Sequence, residues 1–181
     1  MNFVYKIIII FTFGFCKAQN KPNIEKPTLI PCSSYNPDNS IDKFIGTWEG
    51  NSNGKSITFI LEKEKIIRKN SSCMDAIIGF HKFIDNGLEI ENYLQFAHTL
   101  YSDGKSTTLG GTENSNTNLA FLLIDHKSKN KVVKAFISYI DATHLKIDKI
   151  ENLQGTVLTL PGQPAYDSSI ALPSNIILTK Q

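Results

Sequence analysis

The chain has 181 residues, of which 41% are hydrophobic and 20% are charged, and its formal net charge is +2 at pH 7. This length suggests one domain, or at most a small pair, and the composition excludes wholesale disorder and collagen-like or low-complexity structure. No run approaches the roughly 20 apolar residues of a membrane-spanning helix, and because the lysines are scattered among acidic residues and Arg68 is the only arginine, we expect no surface for nucleic acid.

The first residues predict an export signal. Lys6 precedes a nine-residue apolar run at positions 7–15, which has the length of a signal-peptide core and is too short to span a bilayer. Cys16 and Ala18 place small side chains at positions −3 and −1 of a cleavage site, so residues 1–18 are predicted to be a signal peptide. A retained anchor or buried helix is one alternative, and lipidation at Cys16 is another.

Cleavage changes the charge and the cysteine count. It removes two of the 19 basic residues and leaves 17, equal to the 17 acidic residues, so the mature chain is neutral. The remaining cysteines, Cys32 and Cys73, form an even pair, which in an oxidising compartment predicts a disulfide. Two unpaired thiols are the alternative. The spacings of cysteine and histidine do not suggest a metal site.

The mature chain divides into a leader and one domain. Residues 19–43 are rich in Pro, Asn and Ser and predict an extended leader, with one helical turn at 40–44. Residues 44–181 form the single predicted domain. In it, short apolar alternations separated by turn residues repeat to the end, and no segment keeps a 3.6-residue period over three turns. This pattern is typical of an all-β protein.

The first hairpin is predicted at residues 44–62. Asn53 and Gly54 form its turn, because an Asn-Gly pair adopts the positive φ angles that a two-residue turn requires. The resulting register places Trp48 opposite Phe59. One face of the hairpin is then aromatic and apolar and the other is polar, as a half-buried sheet requires.

A second hairpin is predicted at residues 76–94, turned at Asn86-Gly87. An uninterrupted register places Lys82 opposite Glu91, which favours a solvent-facing ion pair across the two strands. Glu89, two residues away on the same strand, points to the same solvated face. The opposite face is apolar and turns toward the core.

His81 and Asn92 form the sharpest candidate site. The same register pairs them in the middle of the apolar face, where a polar pair can orient a ligand inside a barrel. Trp48 and Phe59 are the aromatic candidates for the lining of such a ligand site. A mutually satisfied buried pair, and an aromatic core, are the structural alternatives.

The later part of the chain predicts further short strands. They lie at residues 106–110, 119–125, 132–140, 144–150, 157–160 and 176–179, with Gly110-Gly111 interpreted as loop flexibility. The total of eight or nine strands in sequential hairpins favours an antiparallel meander that closes into a small barrel of about eight strands. A β-sandwich is the alternative.

The segment Phe44-Ile-Gly-Thr-Trp48 resembles the opening of lipocalin-like (calycin) barrels. There, a short helical turn precedes a Gly-x-Trp strand. The resemblance implies that Trp48 plugs the closed end of the barrel. In that family an arginine from a late strand stacks on the tryptophan, and Lys180 is the nearest substitute in this chain.

A longer resemblance runs along nearly the whole mature chain. It comprises Cys16-Lys-Ala-Gln19, Phe-Ile-Gly-Thr-Trp-Glu-Gly50, Ile78-Gly-Phe-His-Lys82, Pro161-Gly-Gln-Pro-Ala-Tyr-Asp-Ser-Ser169 and Leu172-Pro-Ser-Asn-Ile-Ile-Leu-Thr-Lys-Gln181. These segments look like a domain-of-unknown-function family of short exported bacterial proteins. That resemblance implies export and a β-rich fold, without an assigned activity.

The chain has no Gly-x-Ser-x-Gly elbow, no phosphate-binding loop and no dinucleotide fingerprint, so we predict that it is not an enzyme and uses no cofactor. The first functional hypothesis is binding of a small apolar ligand in the barrel, with the loops at 95–118 and 161–169 near its mouth. The second is an interaction or structural module of the cell envelope, with a filled core. Both place the mature protein in the periplasm or outside the cell.

Overall fold

The fold is described by a computed structural model for residues 30–69, 71–112, 117–153 and 166–181. Its strands are β1 (Gly46–Ser52), β2 (Lys55–Ile67), β3 (Cys73–Asp85), β4 (Leu88–Asn92), β5 (Thr108–Thr112), β6 (Leu119–His126), β7 (Lys131–Asp141), β8 (His144–Asn152) and β9 (Ile176–Lys180). Short 3-10 helices lie at Cys32–Ser34, Asn39–Phe44, Leu94–Phe96, Tyr101–Asp103 and Lys127–Lys129. The predicted signal peptide at 1–18 with Cys16, the predicted strand at 157–160 and the start of the loop at 161–169 lie outside the described residues.

Eight strands close into an antiparallel barrel. Their order is β1-β2-β3-β5-β6-β7-β8-β9, and β9 pairs back onto β1. β4 lies outside the closed sheet and pairs with the end of β3, beyond the part of β3 that pairs with β5. The predicted barrel of about eight strands is therefore confirmed. Closure gives each of the eight strands two neighbours, which removes the free edges that an open sheet exposes.

The first hairpin has the predicted register. Trp48 pairs with Phe59. Asn53 and Gly54 have φ angles of 52° and 76°, as the two-residue turn requires. Trp48 and Phe59 are both fully buried, and their strand neighbours Thr47 and Thr58 are half-buried.

The second hairpin keeps the predicted register only near its turn. Ile84 pairs with Glu89 as expected, but a bulge follows, and Phe83 then pairs with Glu91. The predicted pairing of Lys82 with Glu91 is wrong, since Lys82 pairs with Asn92 and forms its ion pair with Glu89 at 3.1 Å. The extra residue in β4 reverses the faces of the strand positions beyond the bulge.

The barrel interior is packed with apolar side chains. The main core cluster comprises nineteen residues, each at most 5% exposed, from the barrel strands and from the segments before β1 and β9. On β6 and β7, alternate residues such as Leu122 and Ala135 point inward, while Phe121 and Phe136 are half-buried on the outer face. Because both strands are apolar on both faces, only the closed barrel shows which face of each is buried.

The predicted disulfide between Cys32 and Cys73 is confirmed. Backbone hydrogen bonds flank it on both sides, from Cys32 N–H to the Ser71 carbonyl at 3.0 Å and from Cys73 N–H to the Ile30 carbonyl at 3.1 Å. The helical turn predicted at 40–44 is the 3-10 helix Asn39–Phe44. The disulfide and this helix fix the segment before β1 to the start of β3 and to the core.

The weak strand predicted at 106–110 is present as β5, two residues later than expected. Gly110 and Gly111 belong to its ladder, opposite Leu122 and Phe121, so their interpretation as loop flexibility is wrong. Within the described ranges, no helix is both long and apolar enough to cross a membrane.

Candidate functional site

The predicted site residue His81 lies fully buried in the barrel interior. Its Nδ1 is 2.8 Å from the Thr107 hydroxyl, and its ring centroid is 6.2 Å from that of Phe59. Asn92 is half-buried elsewhere, and its amide donates to Glu89 at 3.1 Å. The predicted pairing of His81 with Asn92 is therefore wrong, because the β4 bulge carries Asn92 to the other side of the sheet.

Trp48 and Phe59 lie in the main core cluster, where both are fully buried. The indole N–H of Trp48 donates to the Phe44 carbonyl at 2.8 Å, so the polar atom of this large side chain is satisfied. These contacts are those of a packed core. Their part in ligand binding stays a prediction.

His81 contacts Glu91 instead of the predicted Asn92. The two oxygens of its buried carboxylate lie 2.7 Å from His81 Nε2 and 2.6 Å from His126 Nδ1. The Ser128 backbone N–H also donates to it, at 2.8 Å. Glu91 thus joins β3 and β6 on the side where β4 leaves the barrel. Both histidines are fully buried, so the network can fix strand positions but presents no acid or base to solvent.

The electrostatics of Glu91 follow from these contacts. Burial disfavours the charged carboxylate and acts to raise its pKa. Hydrogen bonds from His126, His81 and Ser128 act in the opposite direction and outweigh it, so the pKa of Glu91 lies well below its ordinary value. Glu91 is therefore ionised at neutral pH, with three donors around one negative charge.

Sequence reasoning missed this network. It placed Glu91 in solvent opposite Lys82 and gave His126 no role. The only sequence signal for the network is that Glu91 lies near the apolar face of the predicted hairpin. That signal is weak, because the even alternation of Leu88 and Ile90 favours a register without a bulge. Among the residues that the structure describes, no group of three or more His, Cys, Asp or Glu side chains is arranged to hold a metal ion.

Close in sequence to His126 and Ser128 of the Glu91 network, Lys131 holds the described part of the predicted mouth loop. Its buried ammonium group donates to the carbonyls of Asp167, at 3.0 Å, and Ser169. Lys129 forms an ion pair with the Asp167 carboxylate at 2.6 Å. The hydrogen bonds from Lys129 and Ser169 lower the pKa of Asp167. The loop is thus tied to the start of β7.

The outer face of the barrel carries an apolar cleft of about 530 Å³. It extends from the end of β2 across β3 and β5 to β6. Its apolar lining includes Ile66, Met74, Tyr101, Leu109, Phe121 and Leu123, and Arg68 and Lys69 line it at the turn between β2 and β3. This volume is within the range of about 300–1,000 Å³ that is typical of ligand sites.

A second outer cleft, of about 390 Å³, continues from the first across Phe121 to Phe136 and Lys149. The Lys134 ammonium group lies 4.9 Å from the ring centroid of Phe121 and 4.6 Å from that of Phe136. Cations at such distances are attracted to the faces of aromatic rings. β6 and β7 are apolar on both faces, so the sequence alone does not show which face forms this surface.

Comparisons with known proteins identify a family whose function is unknown. A family model described as a family of unknown function, DUF6705, matches residues 1–181. No curated protein and no solved structure matches the chain.

Proposed function

The chain belongs to the family of unknown function DUF6705, and we propose that this member is an exported, non-catalytic interaction module of the cell envelope. In this proposal the packed barrel is a scaffold and its outer face binds the partner. The observation that carries the proposal is the contrast between the two faces: nineteen core residues are each at most 5% exposed, whereas clefts of about 390 and 530 Å³ lie outside.

The packed interior supports this proposal over a small apolar ligand inside the barrel. An interior ligand needs space and a few polar groups that point toward it. In the described interior, His81 and Glu91 direct their polar atoms at each other and at Thr107, His126 and Ser128. Among the described residues, His126 Nε2 and Thr108 Oγ1 are the buried side-chain atoms without a hydrogen-bond partner. Trp48 and Phe59 pack within the core cluster.

Export is supported by two independent features. The predicted signal peptide at residues 1–18 provides the address. The disulfide between Cys32 and Cys73 is of a kind that persists in oxidising compartments. Lipidation at Cys16 remains the alternative to cleavage after residue 18, and it would hold the barrel at a membrane.

Native mass spectrometry of the protein purified from its own host's envelope tests the proposal. The mass of the mature chain reports cleavage, lipidation and the disulfide, and additional mass reports a bound partner. We expect a bound partner in the wild type that is lost in Phe121→Glu, which places a charge in both outer clefts.

Ile177→Glu is the matched control, because Ile177 is 55% exposed on β9 and lines neither cleft. It should keep the partner. A bound small molecule that survives in Phe121→Glu would instead support a ligand inside the barrel. A wild-type protein that carries neither a protein nor a lipid from the envelope, and that binds no membrane, would contradict the proposed function.

A further inference from the structure

We infer that the envelope partner is the surface of a bilayer that contains anionic lipid, and that one end of the barrel docks on it; the inference rests on the proposed function above. The docking end, here named the basic tip, consists of Ile67, Arg68, Lys69, Met74, Leu100 and Tyr101. It combines the turn between β2 and β3 with the start of the 3-10 helix Tyr101–Asp103. Tyr101 lines the larger outer cleft together with the residues of the turn.

The basic tip exposes large apolar side chains. Ile67 is 69% exposed, Leu100 is 59% exposed and Tyr101 is 40% exposed. Met74, at the start of β3, is exposed beside them. Exposed apolar residues that cluster in this way mark an interaction site, whereas single ones do not. The apolar cleft that begins between these residues extends the patch along the barrel.

The cations of the basic tip have no carboxylate partners among the residues that the structure describes. In the described part of the chain, no Asp or Glu oxygen lies within 4.0 Å of the charged groups of Arg68 or Lys69. The neighbouring carboxylates accept backbone N–H groups: Glu64 from Tyr101 at 2.8 Å and Asp103 from Leu100 at 3.0 Å. Arg68 donates one hydrogen bond to the neutral Met74 thioether at 2.8 Å, which leaves its positive charge unpaired. Arg68 and Lys69 can therefore attract an external anion.

The combination of these groups fits a bilayer surface. Apolar side chains enter the boundary between headgroups and acyl chains, a tyrosine ring is favoured at that level, and lysine and arginine attract anionic headgroups. At the other end of β3, Leu88 is 67% exposed, but the cation beside it, Lys82, is ion-paired with Glu89 at 3.1 Å. The cations without a carboxylate partner therefore distinguish the basic tip from this end.

Co-sedimentation of the mature protein with vesicles tests the inference. The vesicles contain phosphatidylcholine alone or with about 30% phosphatidylglycerol as the anionic lipid. We expect the wild type to bind the anionic vesicles at least about tenfold more tightly than the neutral ones. Arg68→Gln combined with Lys69→Gln should remove about tenfold of that affinity, and so should Ile67→Ser combined with Leu100→Ser.

Leu88→Ser is the matched control, because it removes a similarly exposed leucine at the other end of β3 and should leave vesicle binding unchanged. Circular dichroism and thermal unfolding of each variant establish that the fold is retained. Equal affinity for neutral and anionic vesicles overturns the inference, and so does an equal loss of binding in Leu88→Ser.

The two proposals fail in distinguishable ways. If the wild type binds neither kind of vesicle but carries an envelope partner that Phe121→Glu removes, the bilayer inference is overturned and the proposed function stands. If it binds no vesicle and carries no partner, both are overturned.

Discussion

The ammonium group of Lys180 lies 5.1 Å from the centroid of the Trp48 ring, where β9 pairs with β1 and closes the barrel. Lys180 thus lies at the place that the sequence resemblance assigned to a stacked cation. Its Cε occupies the space next to Gly46, where an added Cβ would lie 2.7 Å from it. The Lys180 side chain therefore covers the indole of Trp48 and occupies the space beside Gly46 at the start of β1.

We expect Lys180→Ala to destabilise the fold by about 0.5–1 kcal/mol, through loss of the cation–π contact and of the packing of the lysine stem. Urea unfolding followed by the fluorescence of the single tryptophan measures this directly. Lys180→Arg should keep most of the stability. Lys69→Ala is the control, since Lys69 is exposed at the turn between β2 and β3. An equal effect of both alanine variants would contradict the contact.

Glu91→Gln should destabilise the protein by about 2 kcal/mol. The amide keeps one oxygen acceptor and replaces the other by a donor that faces a histidine nitrogen, so one strong hydrogen bond of the buried network is lost. Chemical unfolding at neutral pH measures the difference. Glu89→Gln is the matched control on the same strand. Because the Glu89 carboxylate is half exposed, its substitution should have no measurable effect.

The same residue predicts a pH dependence. The folded-state pKa of Glu91 is lowered from an ordinary value of 4.5, since its hydrogen bonds from the two histidines and Ser128 outweigh its burial. Its contribution to stability is therefore complete above pH 4.5 and is lost as the pH falls toward the folded-state pKa.

The measurement is the free energy of unfolding from neutral to acidic pH in the wild type and in Glu91→Gln. The wild type should lose stability more steeply below pH 4.5 than the variant. The pKa of the exposed Asp141 is also lowered, to about 2, by hydrogen bonds from Thr143. Asp141 is present in both proteins, so the difference between the two curves isolates Glu91. Parallel curves would show that the carboxylate is not held as described.

Gly110 and Gly111 are adjacent on β5, but alanine substitutions at the two positions should have different effects on stability. A Cβ at Gly110 would overlap the Phe121 carbonyl and the Leu122 side chain, whereas a Cβ at Gly111 would meet nothing within 4 Å. We expect Gly110→Ala to cost about 1–3 kcal/mol, because the strands would have to move apart.

Gly111→Ala should be neutral or stabilise the protein by up to about 1 kcal/mol, because alanine restricts the unfolded chain. Thermal unfolding of the two variants compares them directly. Similar losses in both would mean that the glycines serve a flexible strand and not a close contact between strands.

The sequence by itself determined the features that depend on local chemistry. The Asn-Gly turn at Asn53-Gly54 set the register of the first hairpin, so the pairing of Trp48 with Phe59 followed by counting. The export context and an even cysteine count predicted the disulfide between Cys32 and Cys73. Repeated short alternations predicted a barrel of about eight strands, since each strand needs one buried face.

Only the tertiary structure decided what occupies the barrel and what it exposes. The β4 bulge turns Glu91 inward, where its carboxylate contacts His81 and His126. His126 lies 35 residues farther along the chain. No local pattern encodes such a contact. For the same reason, the alternation on β6 could not show whether Phe121 lies inside or outside, since both faces of that strand are apolar. Closure of the barrel fixed the inner face and left the other as the apolar outer surface.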